Sequence, residues 1–441
     1  MAEPQRRSGR SADTRAHRGA DAGGRPATVV AGRGLIVTDV YSVLDVGAEK
    51  ICCLIAAREP GRTLTVIGSG HTRSEGFDNG VVTDMYALPT AIRQAVRRAE
   101  EMADGRITQV IATLPCARPT SAHRELPPFQ VNGGRISEQS FSEMRLDDPN
   151  DDDSGANKLV HALPVSYELD GSRVADPVDM VGSLLRINVH LVHAERSVGW
   201  NLETCLADAQ IEVKALVFPA LAAGLAVMTE EERRIGSVVV DIGASRTSLG
   251  IFHDNAMVYT WACAGGGDYF TRDLARGLGV SLQEATRIKK FHASTVLGDG
   301  LGPVSVQPHE ADTEDERVEI PAEAVNQIVA SRAKAMFEEL ADVLAGSGFP
   351  QEMGGVVVLT GGGSQVRGLA DAASKVLGRR VRLGRPEGVP GLPDALRKPE
   401  FAVLVGLLRY AEDPPREFLS RALPPRAGGL RAAFRWLQEN F

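Results

Sequence analysis

Two stretches of the chain repeat one another, and that repeat limits the folds open to it. Residues 40–58 read "VYSVLDVGAEKICCLIAAR" and residues 236–252 read "GSVVVDIGASRTSLGIF". Each is an apolar strand, an Asp-x-Gly turn and a second apolar strand. A supersecondary unit that recurs in this way predicts two related α/β halves in one polypeptide. The length of 441 residues accommodates two or more domains. A hydrophobic fraction of 43% allows them a large core without disulfide or metal staples.

Between and after the repeats, strand and helix alternate. "DMYALPTAIRQAVRRAEEMA" (84–103) is predicted helical, with Leu88, Ile92, Ala95 and Val96 on one face, and "ITQVIATLP" (107–115) reads as a buried strand. From about Cys116 to Ser197 prolines, short strands and the acidic run "DDPNDDD" (147–153) predict a separate small lobe, closed by the strand "LLRINVHLVHA". "SVGWNLETCLADAQI" then restores a helix, Ser281 to Leu344 is rich in helix, and residues 354–378 read as strand, glycine turn and helix.

Several chemistries are disfavoured. The five cysteines, Cys52, Cys53, Cys116, Cys205 and Cys263, have no CxxC spacing, so neither a disulfide framework nor a zinc site is predicted, and a reducing cytosol fits. His190 and His193 are expected to be one inward and one outward residue, not ligands. A net charge of −8 argues against general nucleic-acid binding. Residues 1–33 are nonetheless basic, with Arg6, Arg7, Arg10, Arg15, Arg18, Arg25 and Arg33. They have almost no large apolar residues and no apolar core of a signal peptide. They read as a disordered arm, either solubilising or drawn to anionic lipid. No apolar run reaches the ~18 residues of a spanning helix.

The glycine turns suggest what the repeat binds. A phosphate chain needs close backbone N–H donors and a carboxylate that can hold a metal, and glycine permits the approach. "LDVGAEK" places Asp45 at a strand end, Gly47 in the turn and Lys50 after it; "VDIGASR" does the same with Asp241 and Gly243. Asp45 and Asp241 could hold Mg2+ through water, since that ion usually keeps several waters. Either hairpin alone is as readily a plain tight turn. The third element, "VVVLTGGGS", sets Gly361, Gly362 and Gly363 directly after an apolar strand at a helix start, where N–H groups favour anions.

This constellation resembles the actin-like ATPase superfamily, with two phosphate hairpins and an adenosine turn. Within it the chain is similar to the bacterial FtsA cell-division family from about Val40 to Phe441. The matching segments are "NGVVTDM" (79–85), the small lobe at about 117–198, "GGDYFTRDLA" (266–275), "EATRIKK" (284–290), "VVLTGGGSQVRGL" (357–369), "VGLLRYA" (405–411) and "RWLQENF". The resemblance implies an α/β actin-like two-lobed fold of duplicated ribonuclease-H-like domains, with an inserted small SHS2-like α+β lobe and a C-terminal amphipathic helix. The implied organisation is a basic tail (1–38), lobe I (39–116, 199–235 and a closing helix at 396–412) and the insert (117–198). Lobe II follows as a core (236–275 and 345–395) with a helical subdomain (276–344), then a linker (413–429) and a membrane-targeting helix (430–441). The resemblance further implies ATP and Mg2+ in the cleft, adding Gly266, Gly267, Glu284 and Lys289 to the nucleotide residues. It implies self-association into protofilaments, capture of the FtsZ C-terminal tail by the helical subdomain, other divisome partners, and a peripheral place on the cytoplasmic face of the inner membrane at the division site. Arg332 in "IVASRAKAMFEEL" could pair with an acidic peptide beside an apolar groove, or be a solvated helix residue.

The chain departs from the family pattern at the phosphates. Ala48 and Glu49 stand where small or hydroxylated residues are usual, and Ala244, Ser245, Arg246 and Ser248 replace a DxGGGTT-like run. Phe218, not Glu, precedes Pro219. The adenosine turn is intact, so nucleotide binding with weak or absent hydrolysis is expected.

The segment 430–441 reads as an amphipathic helix. At about 100° per residue Leu430, Phe434, Leu437 and Phe441 form a stripe, Trp436 flanks it, and Arg431 and Arg435 lie opposite. It is too short to span and suited to the membrane interface; docking on the protein's own surface is the other possibility. Pro414, Pro415, Pro424, Pro425, Gly428 and Gly429 make the preceding stretch read as a tether. The expected function is an actin-like adaptor that polymerises and tethers FtsZ filaments to the membrane during septum formation. A sugar or acid kinase of the same superfamily, or a pilus-assembly actin-like protein, are the alternatives; neither is expected to need this helix.

Overall fold

The computed structural model describes residues 39–58, 63–114, 118–131, 133–144, 146, 156–298, 302–308, 317–349 and 355–419. The basic arm and the amphipathic helix at 430–441 lie outside the described residues.

Lobe I begins with three antiparallel strands, β1 (Asp39–Val46), β2 (Lys50–Arg58) and β3 (Thr65–Arg73), followed by the short pair β4 (Phe77–Asp78) and β5 (Val81–Val82). Helix α1 (Ala87–Ala103) and strand β6 (Gln109–Thr113) follow. The predicted face of Leu88, Ile92, Ala95 and Val96 is buried. Gly68 and Gly70 of β3 let α1 approach closely, since a Cβ at Gly70 would lie 2.1 Å from the Ala95 carbonyl.

The chain leaves the sheet for the insert: β7 (Thr120–Glu125), β8 (Phe129–Gln130), α2 (Glu138–Glu143), β9 (Asn157–Leu169), β10 (Ser172–Val174) and β11 (Leu184–Glu195). These strands form an antiparallel sheet in the order β10-β9-β11-β7 with its own core, including Ile136, Phe141, Tyr167, Leu185 and Ile187. Helix α3 (Arg196–Asp208), strand β12 (Glu212–Val217) and helix α4 (Pro219–Val227) return to lobe I. Its sheet has the order β12-β6-β1-β2-β3, with β12, β6 and β1 parallel.

Lobe II repeats that plan. After α5 (Glu230–Ile235), strands β13 (Ser237–Ile242), β14 (Arg246–His253) and β15 (Ala256–Ala264) form the antiparallel meander. Then come α6 (Gly267–Leu278), α7 (Leu282–Phe291), the pair β16 (Val304–Val306) and β17 (Val318–Ile320), and the long α8 (Ala322–Gly346). Strand β18 (Val357–Thr360), helix α9 (Leu369–Leu377) and strand β19 (Val381–Leu383) complete the sheet β15-β14-β13-β18-β19. The last helix among the described residues, α10 (Ala402–Glu412), packs with α4 between the two sheets. Their contact is close because Gly406 has no side chain; a Cβ there would meet the Ala222 carbonyl at 1.7 Å.

Two expectations are corrected. His190 and His193 are both buried. The pairing of β11 with β9 slips between Val192 and His193, and Val189 through Ala194 are enclosed on both faces, so alternation no longer separates inside from outside. The His190 Nδ1–H donates to the Met257 carbonyl of β15 (2.8 Å), and Nε2 accepts from Ser121 (2.7 Å). Burial holds this imidazole neutral, pushing its pKa down to about 3.

The linker expected over 413–429 is corrected in its first residues, while residues 420–429 lie outside the described residues. Residues 413–418 run from α10 onto the insert, where Phe418 is buried in the insert's core, 6.0 Å from the Phe141 ring. The Phe418 N–H donates to the Ala162 carbonyl (3.0 Å), and its carbonyl accepts from Leu146 N–H (3.3 Å). The Arg416 guanidinium lies 4.4 Å over Phe141 and bonds Glu138 and Asp176. Glu417 accepts from the Tyr410 hydroxyl (2.8 Å) and from His161 (3.0 Å). Prolines mark absent N–H donors, but side chains more than 200 residues earlier decide whether the segment docks.

Candidate functional site

The two predicted hairpins adopt one geometry. In the first, Gly47 N–H donates to Lys50 O at 3.1 Å; in the second, Gly243 N–H donates to Arg246 O at 2.8 Å. A Cβ at Gly47 would lie 3.0 Å from that carbonyl, and at Gly243 3.1 Å, so both turns leave little room for a side chain. The register places Val46 opposite Ile51 and Ile242 opposite Thr247. Asp45 and Asp241 thus stand at the equivalent position, one residue before the end of the central strand of each half.

The two carboxylates differ in their support. Asp45 accepts from the Thr113 hydroxyl (3.2 Å), whose oxygen in turn accepts from Val46 N–H (3.0 Å). Burial pushes its pKa up to about 6, against the opposing pull of Lys50 and of Thr113. Burial pushes Asp241 up to about 7, and the charge of Asp45 adds to the effect. Among the described residues no cation opposes it there. No third His, Cys, Asp or Glu completes a ligand group among the described residues. Two oxygen donors of this kind, short of a positive charge, fit a hard cation that keeps most of its water, such as Mg2+.

The glycine turn closes against the second hairpin. Gly361 has φ +82°, and a Cβ there would lie 2.4 Å from Asp241 Oδ1 and from Ile242 O. At Gly363 a Cβ would lie 2.5 Å from the Ile242 side chain, while Gly362 has open space apart from Glu400 at 3.6 Å. Gly266 lies against the same hairpin, 2.5 Å from Gly243 O for the same hypothetical atom. Backbone N–H groups of Gly265, Gly267 and Asp268 donate to the carbonyls of Ser245, Gly243 and Ala244 (2.8–2.9 Å). Lys289 donates to the Gly267 carbonyl (3.0 Å), and burial lowers the pKa of its ammonium despite Asp268 and Glu49. Glu49 itself is exposed, and its charge is felt across the cleft by Asp268 and Lys289 of lobe II.

Glu284, on the same helix as Lys289, is held by two arginines. Arg287 and Arg317 each approach its carboxylate at 2.8 Å, and Gln307 N–H donates at 3.1 Å. Arg287 foremost pulls its pKa down to about 2, and the group ties α7 to the β16–β17 ribbon. Arg332 bonds Asp273 of α6, with its guanidinium 5.2 Å over Tyr269. It lines a pocket of about 440 Å³, open mouth included, with Trp261, Cys263, Met336 and Leu340.

Thr113, Glu400 and Pro399 join the site without having been predicted. Pro399 O accepts from Gly361 N–H (3.1 Å) and from the Thr360 hydroxyl (3.3 Å). Glu400 reaches Lys50 (3.3 Å). Only the position of Thr113 at a strand end gave a local signal. Residues 397–401 cross back from lobe II to α10, and nothing in their composition marks them as cleft residues.

A family model described as "Cell division protein FtsA" matches residues 238–406, and one for the SHS2 domain inserted in FtsA matches residues 129–193. The chain is 34% identical over 420 residues to Cell division protein FtsA of Rhizobium meliloti, across 91% of this chain and 95% of that protein. The chain belongs to the FtsA family. The Escherichia coli K12 FtsA is 25% identical over 421 residues, covering 90% of this chain and 97% of its own. Among solved structures, a PilM–PilN type IV pilus biogenesis complex aligns with a TM-score of 0.59 at 18% identity, over 85% of this chain and 99% of that chain. MreB5 of Spiroplasma citri bound to ADP aligns at 0.50 and 12%, over 85% and 96%. These likenesses establish the actin-like fold that the family resemblance implied, and the SHS2 match identifies the small lobe inserted within lobe I as the FtsA insert.

Proposed function

We propose that this FtsA-family chain binds Mg–ATP between its lobes, self-associates into protofilaments, and tethers FtsZ filaments to the cytoplasmic face of the inner membrane at the division site. One observation carries the nucleotide reading: Asp45 and Asp241 hold matching places on two glycine hairpins, with Gly361–Gly363 packed against the second. When bound, Mg2+ would neutralise phosphate charge. The chain's own residues bring Lys50 to the first hairpin and narrow the second with glycine, and among the described residues no hydrogen-bond donor reaches Asp241.

Turnover is expected to be slow or absent. Catalysis of phosphoryl transfer rests on positioning and charge stabilisation. The start of α4 offers Phe218, whose N–H bonds His161 (3.0 Å), where a carboxylate would be needed to orient water. Arg332 is the candidate contact for an acidic FtsZ tail, with Trp261, Met336 and Leu340 as apolar neighbours. The amphipathic segment 430–441 supplies the anchor. A single short helix binds weakly, and a filament presenting many binds firmly through effective concentration. Other divisome proteins would join the membrane-bound polymer.

The decisive experiment is co-sedimentation with anionic vesicles, with and without residues 428–441 and an FtsZ tail peptide, beside calorimetry with Mg–ATP. Peptide recruitment to vesicles only by the full-length chain, together with ATP binding, is the expected outcome. Turnover near the enzyme median of roughly 10 s⁻¹ would overturn the weak-hydrolysis reading.

A further inference from the structure

Lys50 follows the first hairpin, and its ammonium is not free. It lies 3.3 Å from a Glu400 carboxylate oxygen and 3.4 Å over the centroid of the Phe401 ring. The other Glu400 oxygen accepts from Gln365 Nε2 at 2.8 Å. Gln365 ends the short turn that starts at Gly362. One carboxylate therefore ties the first hairpin of lobe I to the glycine turn of lobe II. Its own segment is pinned to that turn through Pro399 O and Gly361 N–H.

We propose that Glu400 is a positioning residue that holds Lys50 in place of a polyphosphate and lowers the affinity of the cleft for nucleotides in proportion to their phosphate charge. The inference rests on the cleft being a nucleotide site. The side chains of Lys50 and Glu400 are 26% and 31% exposed, so this ion pair contributes little to stability and is readily exchanged. A fixed carboxylate beside the hairpin has a larger effect on a polyphosphate than on the fold. It competes for the one lysine of that hairpin and repels the incoming anion. Adenosine carries no phosphate charge, so the same carboxylate, although it adjoins the glycine turn, has no anion to repel. Displacing Glu400 from Lys50 also removes this carboxylate's tie to lobe I while Gln365 still joins it to lobe II, so nucleotide occupancy and the cross-lobe brace are coupled.

The test is calorimetric titration of the full chain with Mg–ATP and, separately, with adenosine. Glu400→Gln is expected to bind Mg–ATP about five- to tenfold tighter, the effect of one partly exposed charge at this range, with adenosine unchanged. Glu400→Asp keeps the charge and should bind like the unaltered chain. Lys50→Met should lose affinity for Mg–ATP and shrink the gain from Glu400→Gln in the double variant. Equal Mg–ATP affinity in Glu400→Gln, a gain that extends to adenosine, or the same gain in Glu400→Asp would each overturn the proposal while leaving the nucleotide site standing. If the unaltered chain and Glu400→Gln both bind neither ligand, the nucleotide reading itself fails and this proposal with it. Thermal melting confirms that each variant is folded.

Discussion

Asp241 titrates near 7 because it is buried in the second hairpin and because Asp45 stands at the matching place of the first. Both carboxyls are raised above their unfolded values, so the folded chain binds these protons more tightly than the unfolded chain. The contribution to stability is full below the unfolded value near 4 and is lost as pH rises through about 6 and 7.

In metal-free buffer, Asp241→Asn should therefore melt higher than the unaltered chain at pH 8 and no higher at pH 5. Each kcal/mol of relief moves the midpoint by about 2–4 °C. Added Mg–ATP should stabilise the unaltered chain and not the variant. Differential scanning calorimetry at the two pH values reads both effects; a larger gain at pH 5 would show the sign to be wrong.

Gly361→Ala places a Cβ 2.4 Å from the Asp241 carboxylate and the Ile242 carbonyl at a φ of +82°. Neither neighbour can retreat, since both belong to the central strand of lobe II. With ψ at 165° this backbone region is essentially glycine's alone, so a side chain there costs about 1–3 kcal/mol, and displacing the hairpin adds to it. The variant should melt several degrees lower and lose nucleotide-induced stabilisation, as measured by thermal shift with and without Mg–ATP. Gly378→Ala, at a left-handed α-type glycine with open space around it, should show only a smaller melting loss.

Phe418→Ala removes a buried ring from the insert's core, a change that costs about 3–5 kcal/mol in well-packed sites. Hydrogen exchange should quicken in α2 and in β9 around Ala162, with lobe II protection unchanged. Uniform exchange across both lobes would show that the segment 413–418 is not a local strap.

Arg332→Glu sets two carboxylates together, because Asp273 is its partner. Binding of an acidic FtsZ tail peptide should fall by at least about tenfold, with Asp273→Ala as the control that removes the ion pair and keeps the guanidinium. Fluorescence anisotropy of a labelled peptide measures it. Unchanged affinity in Arg332→Glu removes this residue from the interface.

Trp436→Glu and Phe434→Asp should release the chain from anionic vesicles without lowering its melting temperature. A charge in the apolar stripe costs on the order of 2–3 kcal/mol to immerse, comparable with the net affinity of one short helix. Vesicle flotation with circular dichroism as control gives the answer; flotation equal to that of the unaltered chain would mean that the anchor lies elsewhere.

Much of the architecture was legible because it is local or repeated. The two Asp-x-Gly hairpins announce themselves through apolar strands flanking a turn that leaves little room for a Cβ, and they recur where the duplicated halves require them. The face of Leu88, Ile92, Ala95 and Val96 follows from helical spacing alone. The small lobe betrays itself by a change of composition, and the glycine triplet by its place after an apolar strand.

Tertiary structure decided what depends on residues distant in sequence. Glu284 meets Arg287 at helical spacing, but its second arginine, Arg317, comes from a segment 33 residues further on. That His190 and His193 are both buried follows from a slipped register and a strand covered on both sides, neither of which leaves a trace in "INVHLVHA". Pro414 and Pro415 look like a tether because they lack donors, yet Phe418 is anchored by a core assembled from residues 126 to 191. Glu400 is an ordinary surface carboxylate in the sequence; only the crossing of its segment between the lobes brings it to Lys50. Local periodicity and turn sterics act over a few residues and can be read along the chain. Register, charge pairing and enclosure depend on which surfaces meet, and that is determined only when the lobes and the insert pack together.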